Sequence, residues 1–452
     1  MNLTIHRGAR EIGGTCVELS TEGSRILIDF GIPLATNLGA EFDESKLKGE
    51  SVASLIKKTI LPSVEGLYKA EKPTIDAVLI SHSHKDHYGF LTYINPEIPV
   101  CISEGSKKLI DVSNIFTYAE RRIPIVRFQP VHDGIPFKIK NFSITPYLVD
   151  HSGFDAMAYH IKDTISGKSI FYSGDFRATG WKKGLFYRLV RKPPKAVDYL
   201  LMEGTTIDKE DGLYKEEEDV LNRTIEILEQ SDNNIVFACA AGQNIDRLIT
   251  FYKACWRTDS LFVIDPYIAS ILYAIKTPEN TIQQFNWENV RVFIANYRNR
   301  HGKHIGDRYI KLMKDSAYKS LIPRFGKVKI KPRDFGALDK KALVLIRSSM
   351  VDVLRDIPGI NDSALIYSQW EGYLKREDRS TNNFLRFIKD FNLKMELVHT
   401  SGHATVDKLK ILAKSIKPKK KIIPIHTLSP EKFIHYFGSK AMLLPNGRIL
   451  QI

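Results

Sequence analysis

The stretch Ser81-His82-Ser83-His84-Lys85-Asp86-His87 constrains this chain more than any other. Three histidines and an aspartate within six residues make a poor apolar core and an unusual surface. The run before it, Ile75 to Ile80, reads as a buried strand. The cluster therefore falls on the loop at that strand's carboxyl end, where open α/β sheets hold their sites. Imidazole and carboxylate are ligands that zinc takes for hydrolytic chemistry. The spacing cannot put all four side chains on one ion from one face of a strand. It can divide them: His82 and His84 toward one metal, Asp86 and His87 toward a neighbour. Further ligands must then come from distant parts of the chain.

Such residues recur where short apolar runs stop. LTIH, CVELS and RILIDFG read as strands, and Asp29 ends the third beside Gly31. His151 follows a strand pattern over 143–149, Asp175 ends KSIFYSGD, and Glu203 ends VDYLLMEG. Near the carboxyl terminus MELV precedes His399, Thr400, Ser401, Gly402 and His403, and KIIPIH ends on His426. A lone aspartate in such a place is an ordinary turn or cap residue. The repetition is what counts, because seven of the 13 histidines lie in these segments.

At 452 residues the chain exceeds what one hydrophobic core supports. Candidate ligands run from residue 82 to 426, so the middle section is expected as an insertion. That section has its own βαβα alternation: an amphipathic helix in GLYKEEEDVLNRTIEILEQ, a buried strand in NNIVFACA, a helix started through Gly242, Gln243 and Asn244 in AAGQNIDRLITFYKAC, and a further strand and helix in LFVIDPYIASILYAI. The expected division is 1–206 and 385–452 for one domain, with 207–384 inserted as an α/β unit.

The net charge of +14 favours a polyanionic partner, nucleic acid above all. Residues 280–340 are strongly basic, with Arg298, Arg300, Lys303, Arg308, Arg324, Lys327, Lys329, Lys331 and Arg333. They are interleaved with Tyr297, His301, His304 and Phe325, which reads either as a solvated surface or as a rim for a phosphate backbone. Four scattered cysteines point to a reducing cytosol. The start lacks a signal-peptide pattern, and no run of 18 apolar residues argues for a membrane span.

These motifs resemble the metallo-β-lactamase fold, and within it the β-CASP nucleic-acid-processing branch. SHSHKDH is similar to the family's H-x-H-x-D-H motif, Asp29 in LIDFG to its first motif, His151 in VDHSG to its third and Asp175 in YSGDF to its fourth. Glu203 in LMEGTT, His403 in HTSGHA and His426 in IPIHT resemble the β-CASP motifs. The resemblance implies a four-layer αββα sandwich carrying an inserted β-CASP cap. It also implies two divalent metals, zinc above all with manganese as the alternative. His82, His84 and His151 would hold the first; Asp86, His87 and His426 the second; Asp175 would bridge them. Asp29 would orient the metal loop from behind the ligands, and His403 with Glu203 would serve the leaving group, unless their contact is only a structural hydrogen bond.

The same resemblance points to a ribonuclease cutting single-stranded RNA with a metal-activated water, in exo or endo mode. RNA is preferred to DNA because His426 stands where the family's DNA-repair branch tends to have valine. A DNA nuclease, a small-phosphoester hydrolase or an inactive nucleic-acid-binding subunit are the alternatives. GQNIDR resembles a phosphate-contacting segment of ribonuclease J, so Gln243, Asn244 and Arg247, with His399 and Ser401, are candidate phosphate contacts. The plainer reading of GQNIDR is a helix cap and a surface arginine. The chain departs from ribonuclease J at His426-Thr427-Leu428, where that family reads HGE, and in ending soon afterwards. It therefore resembles a shorter cytoplasmic relative, with a homodimer among the expectations.

Overall fold

The structure, a computed structural model, describes residues 1–34, 42–117, 119–209, 212–278, 280–298 and 304–452. It divides into two compact units: Met1–Ile110, Arg122–Asp211 and Gly402–Ile452 in the first, Asp111–Arg121 and Gly212–Ser401 in the second.

Two sheets build the first unit. One has the strand order Ile449–Gln451, Asn2–Arg7, Cys16–Thr21, Ser24–Ile28, Ala77–Leu79, Val100–Ser103, Phe128–Val131. The other runs Lys421–Ile425, Tyr199–Glu203, Ser169–Tyr172, Met157–Asp163, Phe142–Leu148, Phe137–Ile139. Strict alternation in Leu3, Ile5, Val17, Leu19, Ile26 and Ile28 sends one face of the first sheet inward, against Ile144, Tyr159, Ile170, Leu201 and Ile423 of the second. Truncating one such side chain, as in Ile423→Ala, costs about 2–5 kcal/mol.

The outer faces are apolar as well. Leu27, Val78 and Ile102 pack with Leu55 and Ile110, which lie on the helices Val52–Lys57 and Glu104–Ile115. Phe171, Leu200 and Met202 pack with Phe186 and Leu189 of Lys183–Arg191, and with Leu409, Leu412 and Ile416 of Val406–Ile416. Helix, sheet, sheet, helix is the αββα order expected of a metallo-β-lactamase sandwich.

Strand direction is what assembles a site. Ser169–Tyr172, Tyr199–Glu203 and Lys421–Ile425 run parallel, so Asp175, Glu203 and His426 leave the second sheet at one end. Ser24–Ile28 and Ala77–Leu79 are parallel too, which sets Asp29 beside the loop that begins at Ser81.

The second unit is built on seven strands, ordered Lys329–Ile330, Val290–Phe293, Leu261–Ile264, Ala342–Ile346, Ile235–Cys239, Ala364–Tyr367, Lys394–Leu397, every pair parallel. Its near-continuous apolar strands are what a sheet covered on both faces requires. The last strand shifts an expected boundary. Lys394–Leu397 pairs with Ala364–Tyr367, and Phe384 and Phe387 of the helix Arg379–Asp390 enter this unit's core. Residues 385–401, assigned to the first domain from sequence, thus fold with the second unit.

A further expectation changes in the basic stretch. Tyr297 and Phe325 are buried, so neither ring is part of an exposed phosphate rim. Arg324, Lys327, Lys329 and Arg333 are exposed, while Arg300, His301 and Lys303 lie outside the described residues. All four cysteines are buried and free. Among the described residues no helix is long and apolar enough to cross a membrane.

Candidate metal centre

The loop after Ala77–Leu79 splits its side chains in the way its spacing allows. His82, His84 and His151 form one group and Asp86, His87, Asp175 and His426 another, each with one ligand atom per residue within 4.8 Å of the rest. In the first, His84 Nδ1 lies 3.0 Å from His82 Nε2 and 3.2 Å from His151 Nε2. In the second, His426 Nε2 lies 3.2 Å from Asp86 Oδ2, and His87 Nε2 lies 3.0 Å from Asp175 Oδ2. That same Asp175 oxygen is 3.9 Å from His82 Nε2, so one carboxylate reaches both groups.

Hydrogen bonds behind the rings fix which nitrogen each presents. His87 Nδ1 donates to Asp29 Oδ2 at 2.8 Å. Asp29 also accepts from Ser81 N, Ser81 Oγ and Tyr172 OH, at 2.7, 2.9 and 2.5 Å. Because the Ser81 hydroxyl proton goes to Asp29, its oxygen accepts from His82 Nδ1 at 3.0 Å. His151 Nδ1 donates to the Gly402 carbonyl at 2.7 Å. His426 Nδ1 meets Thr205 Oγ1 at 2.9 Å, and that hydroxyl donates to the His426 carbonyl. For His82 and His151 this leaves the Nε2 lone pair turned toward the cluster, and for His87 and His426 it turns Nε2 toward the carboxylates of Asp175 and Asp86.

Two backbone features make room for this loop. Asp29 and His426 are both left-handed, with φ of 57° and 52°, and such strained residues collect at functional sites. Gly31 faces the loop so closely that a β-carbon there would lie 1.5 Å from the Asp86 carbonyl oxygen.

Burial pushes the imidazoles of His82, His84 and His151 below their ordinary value, His84 to about 4. They are neutral and keep their lone pairs. Burial opposes ionisation of Asp86 and Asp175, but the facing histidines outweigh it, holding Asp86 at about 2 and Asp175 well below the carboxylate range. Burial also opposes charge on His87, which Asp175, Asp86 and Asp29 raise well above its usual value.

Divalent cations fit this arrangement. His84 Nδ1 carries at most one proton, so it cannot satisfy both facing nitrogens with linear hydrogen bonds. Asp175 Oδ1 is buried with no hydrogen-bond partner among the described residues. Orphaned acceptors turned toward one another are relieved by a cation, and mixed imidazole and carboxylate donors suit zinc and similar metals. The two clusters are consistent with divalent metal cofactors.

A third group overlaps the second: Asp175, Glu203, His403 and His426. His403 Nδ1 lies 3.1 and 3.3 Å from the two Glu203 oxygens and 3.8 Å from Asp175 Oδ2. Its side chain is 22% exposed, against 1% for Glu203 and 2% for Asp175, so it is the member that solvent reaches. Burial opposes its charge, yet Glu203 and Asp175 raise its pKa above the usual value. Glu203 is itself held by the amides of Phe176 and Thr205, at 3.1 and 3.2 Å.

The candidate phosphate contacts fare differently. Asn244 is the N-cap of Ile245–Arg257 and accepts from the Arg247 amide, and Gln243 bonds Ser113 Oγ at 2.6 Å. Arg247 is neither a surface arginine nor available to a phosphate. It is fully buried, paired through Nε and Nη2 with Glu217 at 3.1 Å, and bonded to Ser368. His399 lies 3.4 Å from Arg247 Nη1, and the His399 and Ser401 side chains are half-buried.

Ser81, Tyr172, Thr205 and the Gly402 carbonyl help orient the candidate ligands and escaped the sequence reading, as did the buried Asp150–Arg177 pair beside His151. Thr205, two residues after Glu203, had a positional signal; Tyr172 sits in an apolar strand and had none.

Comparison with known proteins agrees with the fold. A family model described as a beta-lactamase superfamily domain matches residues 58–231. Over 225 residues the chain is 26% identical to a probable RNase, MJ4, of Methanocaldococcus jannaschii, covering 45% of each protein. Over 247 residues it is 25% identical to ribonuclease J of Mycoplasma pneumoniae, covering 53% of this chain and 39% of that one. A stretch of 92 residues is 32% identical to transcription termination factor FttA of Methanothermobacter thermautotrophicus, 20% of this chain and 12% of the relative. The matches thus span less than half the length of these relatives. A crystal structure of a protein of unknown function from Enterococcus faecalis V583 shares the fold, with a TM-score of 0.77 over 99% of both chains at 22% identity. The chain carries a metallo-β-lactamase-fold domain with distant similarity to the ribonuclease J and FttA proteins, and its clusters support a metal-dependent hydrolase.

Proposed function

We propose that this chain is a two-metal phosphodiester hydrolase acting on single-stranded RNA in the cytosol. The observation that carries the reading is Asp175 Oδ2, placed 3.0 Å from His87 Nε2 and 3.9 Å from His82 Nε2, a carboxylate common to two ligand groups. His82, His84 and His151 would hold one ion, Asp86, His87 and His426 the other, with Asp175 shared. Zinc suits these donors best and manganese is the second choice. Bound there, a metal pair supplies Lewis-acid polarisation of a phosphoryl oxygen and lowers the pKa of water.

The chain's own residues do the rest. Asp29, Ser81 and Thr205 hold the ligand rings in one tautomer, so no reorganisation is needed when substrate arrives. His403 accepts orientation from Glu203 through Nδ1, leaving Nε2 to give a proton to the departing oxygen. The buried floor of Asp86, His87 and Asp175 excludes bulk water from below.

RNA as the substrate is supported by the ribonuclease names of two distant relatives and by the net positive charge. The test is hydrolysis of matched RNA and DNA oligonucleotides by metal-loaded protein, with 5′-monophosphate, 5′-triphosphate and 5′-hydroxyl ends labelled at each terminus. RNA-selective cleavage supports the reading, and equal or faster cleavage of DNA rejects it. Mononucleotides released from one end identify an exonuclease; cuts in a circular RNA identify an endonuclease.

A further inference from the structure

Three turns far apart in sequence meet at the end of the second sheet opposite the metal cluster. The helices Lys183–Arg191 and Val406–Ile416 finish side by side, where Ser415 Oγ donates to the Val190 carbonyl at 2.6 Å. Beyond them the chain segments stay joined: Lys419 N donates to Val197 O at 2.9 Å and Lys420 N to Asp198 O at 2.8 Å. Lys440 Nζ reaches the Pro418 and Lys419 carbonyls, each at 3.4 Å.

This junction gathers Arg191, Lys192, Lys195, Lys417, Lys419 and Lys420, all exposed. Among the described residues only Lys419 has a carboxylate within ion-pair distance, Asp198 at 3.9 Å. Pro193, Pro194 and Pro418 stiffen the turns. Ala196 and Lys417 are left-handed, with φ of 62° and 49°, where glycine is the ordinary occupant. Cations at helix carboxyl ends are favoured by the peptide dipoles, which accounts for Arg191, Lys192 and Lys417. It does not account for Lys195, Lys419 and Lys420, which lie past those ends.

We infer that this lysine-rich junction is a second RNA-binding surface, separate from the metal cluster, that takes the phosphate backbone of a long single strand. The inference rests on the RNA reading proposed above. Lys421–Ile425 leads from the junction to His426 in five residues, or about 17 Å of strand. A dinucleotide held at the metal cluster does not span that distance. Flexible lysines acting as point charges suit a phosphate backbone. None of the exposed large apolar side chains lies on the three turns, so the junction lacks the apolar groups that would insert into a lipid surface.

The test replaces Lys195, Lys419 and Lys420 together by Glu, and in a second variant by Gln, with matching melting curves as the folding control. Metal-loaded protein is titrated with a phosphorothioate RNA of about 30 nucleotides across a salt series, and hydrolysis of a dinucleotide is followed separately. The glutamate variant should bind the long RNA at least about tenfold more weakly, with a salt slope shallower by about 2, while dinucleotide hydrolysis stays unchanged. The glutamine variant should fall between it and the parent. Unchanged long-RNA affinity and slope would overturn the inference, as would unchanged RNA binding with lost binding to phosphatidylserine vesicles. Should the parent hydrolyse no RNA while the variants still bind it more weakly, the proposed activity fails and the surface stands.

Discussion

The Nδ1 atom of His87 lies 2.8 Å from Oδ2 of Asp29, and both side chains are completely buried. Asp29 reaches that place from the neighbouring parallel strand and accepts three further hydrogen bonds there. The pair ties the metal loop to the sheet and settles which nitrogen of His87 faces Asp175.

Asp29→Asn therefore tests orientation apart from coordination. Asparagine tolerates the left-handed backbone, but its amide nitrogen cannot accept from His87, Ser81 and Tyr172. Metal affinity is expected to fall about 10–100-fold, with stability lowered by about 1–3 kcal/mol. Competition with a chelator and a denaturant titration measure the two effects; unchanged metal affinity would leave Asp29 with a folding role alone.

Thr205→Val separates the two clusters. The substitution keeps shape and removes the hydroxyl that meets His426 Nδ1. The dialysed variant should retain about one metal per chain where the parent retains about two, because only the His426 side is loosened. Metal content by mass spectrometry reads this directly, and an equal loss of both ions would contradict the division into clusters.

Gly31→Ala probes the close approach beneath the loop. A β-carbon 1.5 Å from the Asp86 carbonyl cannot be accommodated without moving the loop that carries Asp86 and His87. The expected outcome is a chain that loses metal binding and melts at lower temperature. A normal melting curve with two bound metals would show that the loop yields without consequence.

Arg247→Met examines the correction made in the second unit. Leaving Glu217 buried without the guanidinium that balances its charge should cost about 3–5 kcal/mol. Activity per folded molecule and its dependence on RNA concentration should stay as in the parent. A large rise in KM without loss of stability would return Arg247 to the role of a phosphate contact.

How much of this could be read from the chain follows from chemistry. His82, His84, Asp86 and His87 stand out because polar side chains able to hold a metal end an apolar strand, and His151, Asp175 and His426 repeat that pattern. The structure brings all seven together. Tyr172 could not be found that way, since it continues the apolar run SIFY and its hydroxyl meets Asp29 only through the tertiary fold. The Gly402 carbonyl behind His151 has no side chain to read. Charge misled in the opposite sense: Arg247 looked like a surface cation beside a helix cap, and only the facing Glu217 reveals it as a buried pair. Tyr297 and Phe325 likewise stand among basic residues as stacking rings would, and only their burial in the fold sets them apart.

The sharing of Asp175 between two ions is the centre of the account, and anomalous diffraction from zinc-loaded crystals tests it most directly. Two peaks are expected, one among His82, His84 and His151, the other among Asp86, His87 and His426, with Asp175 in coordinating distance of both. A single peak, or two peaks of which Asp175 touches only one, would contradict it.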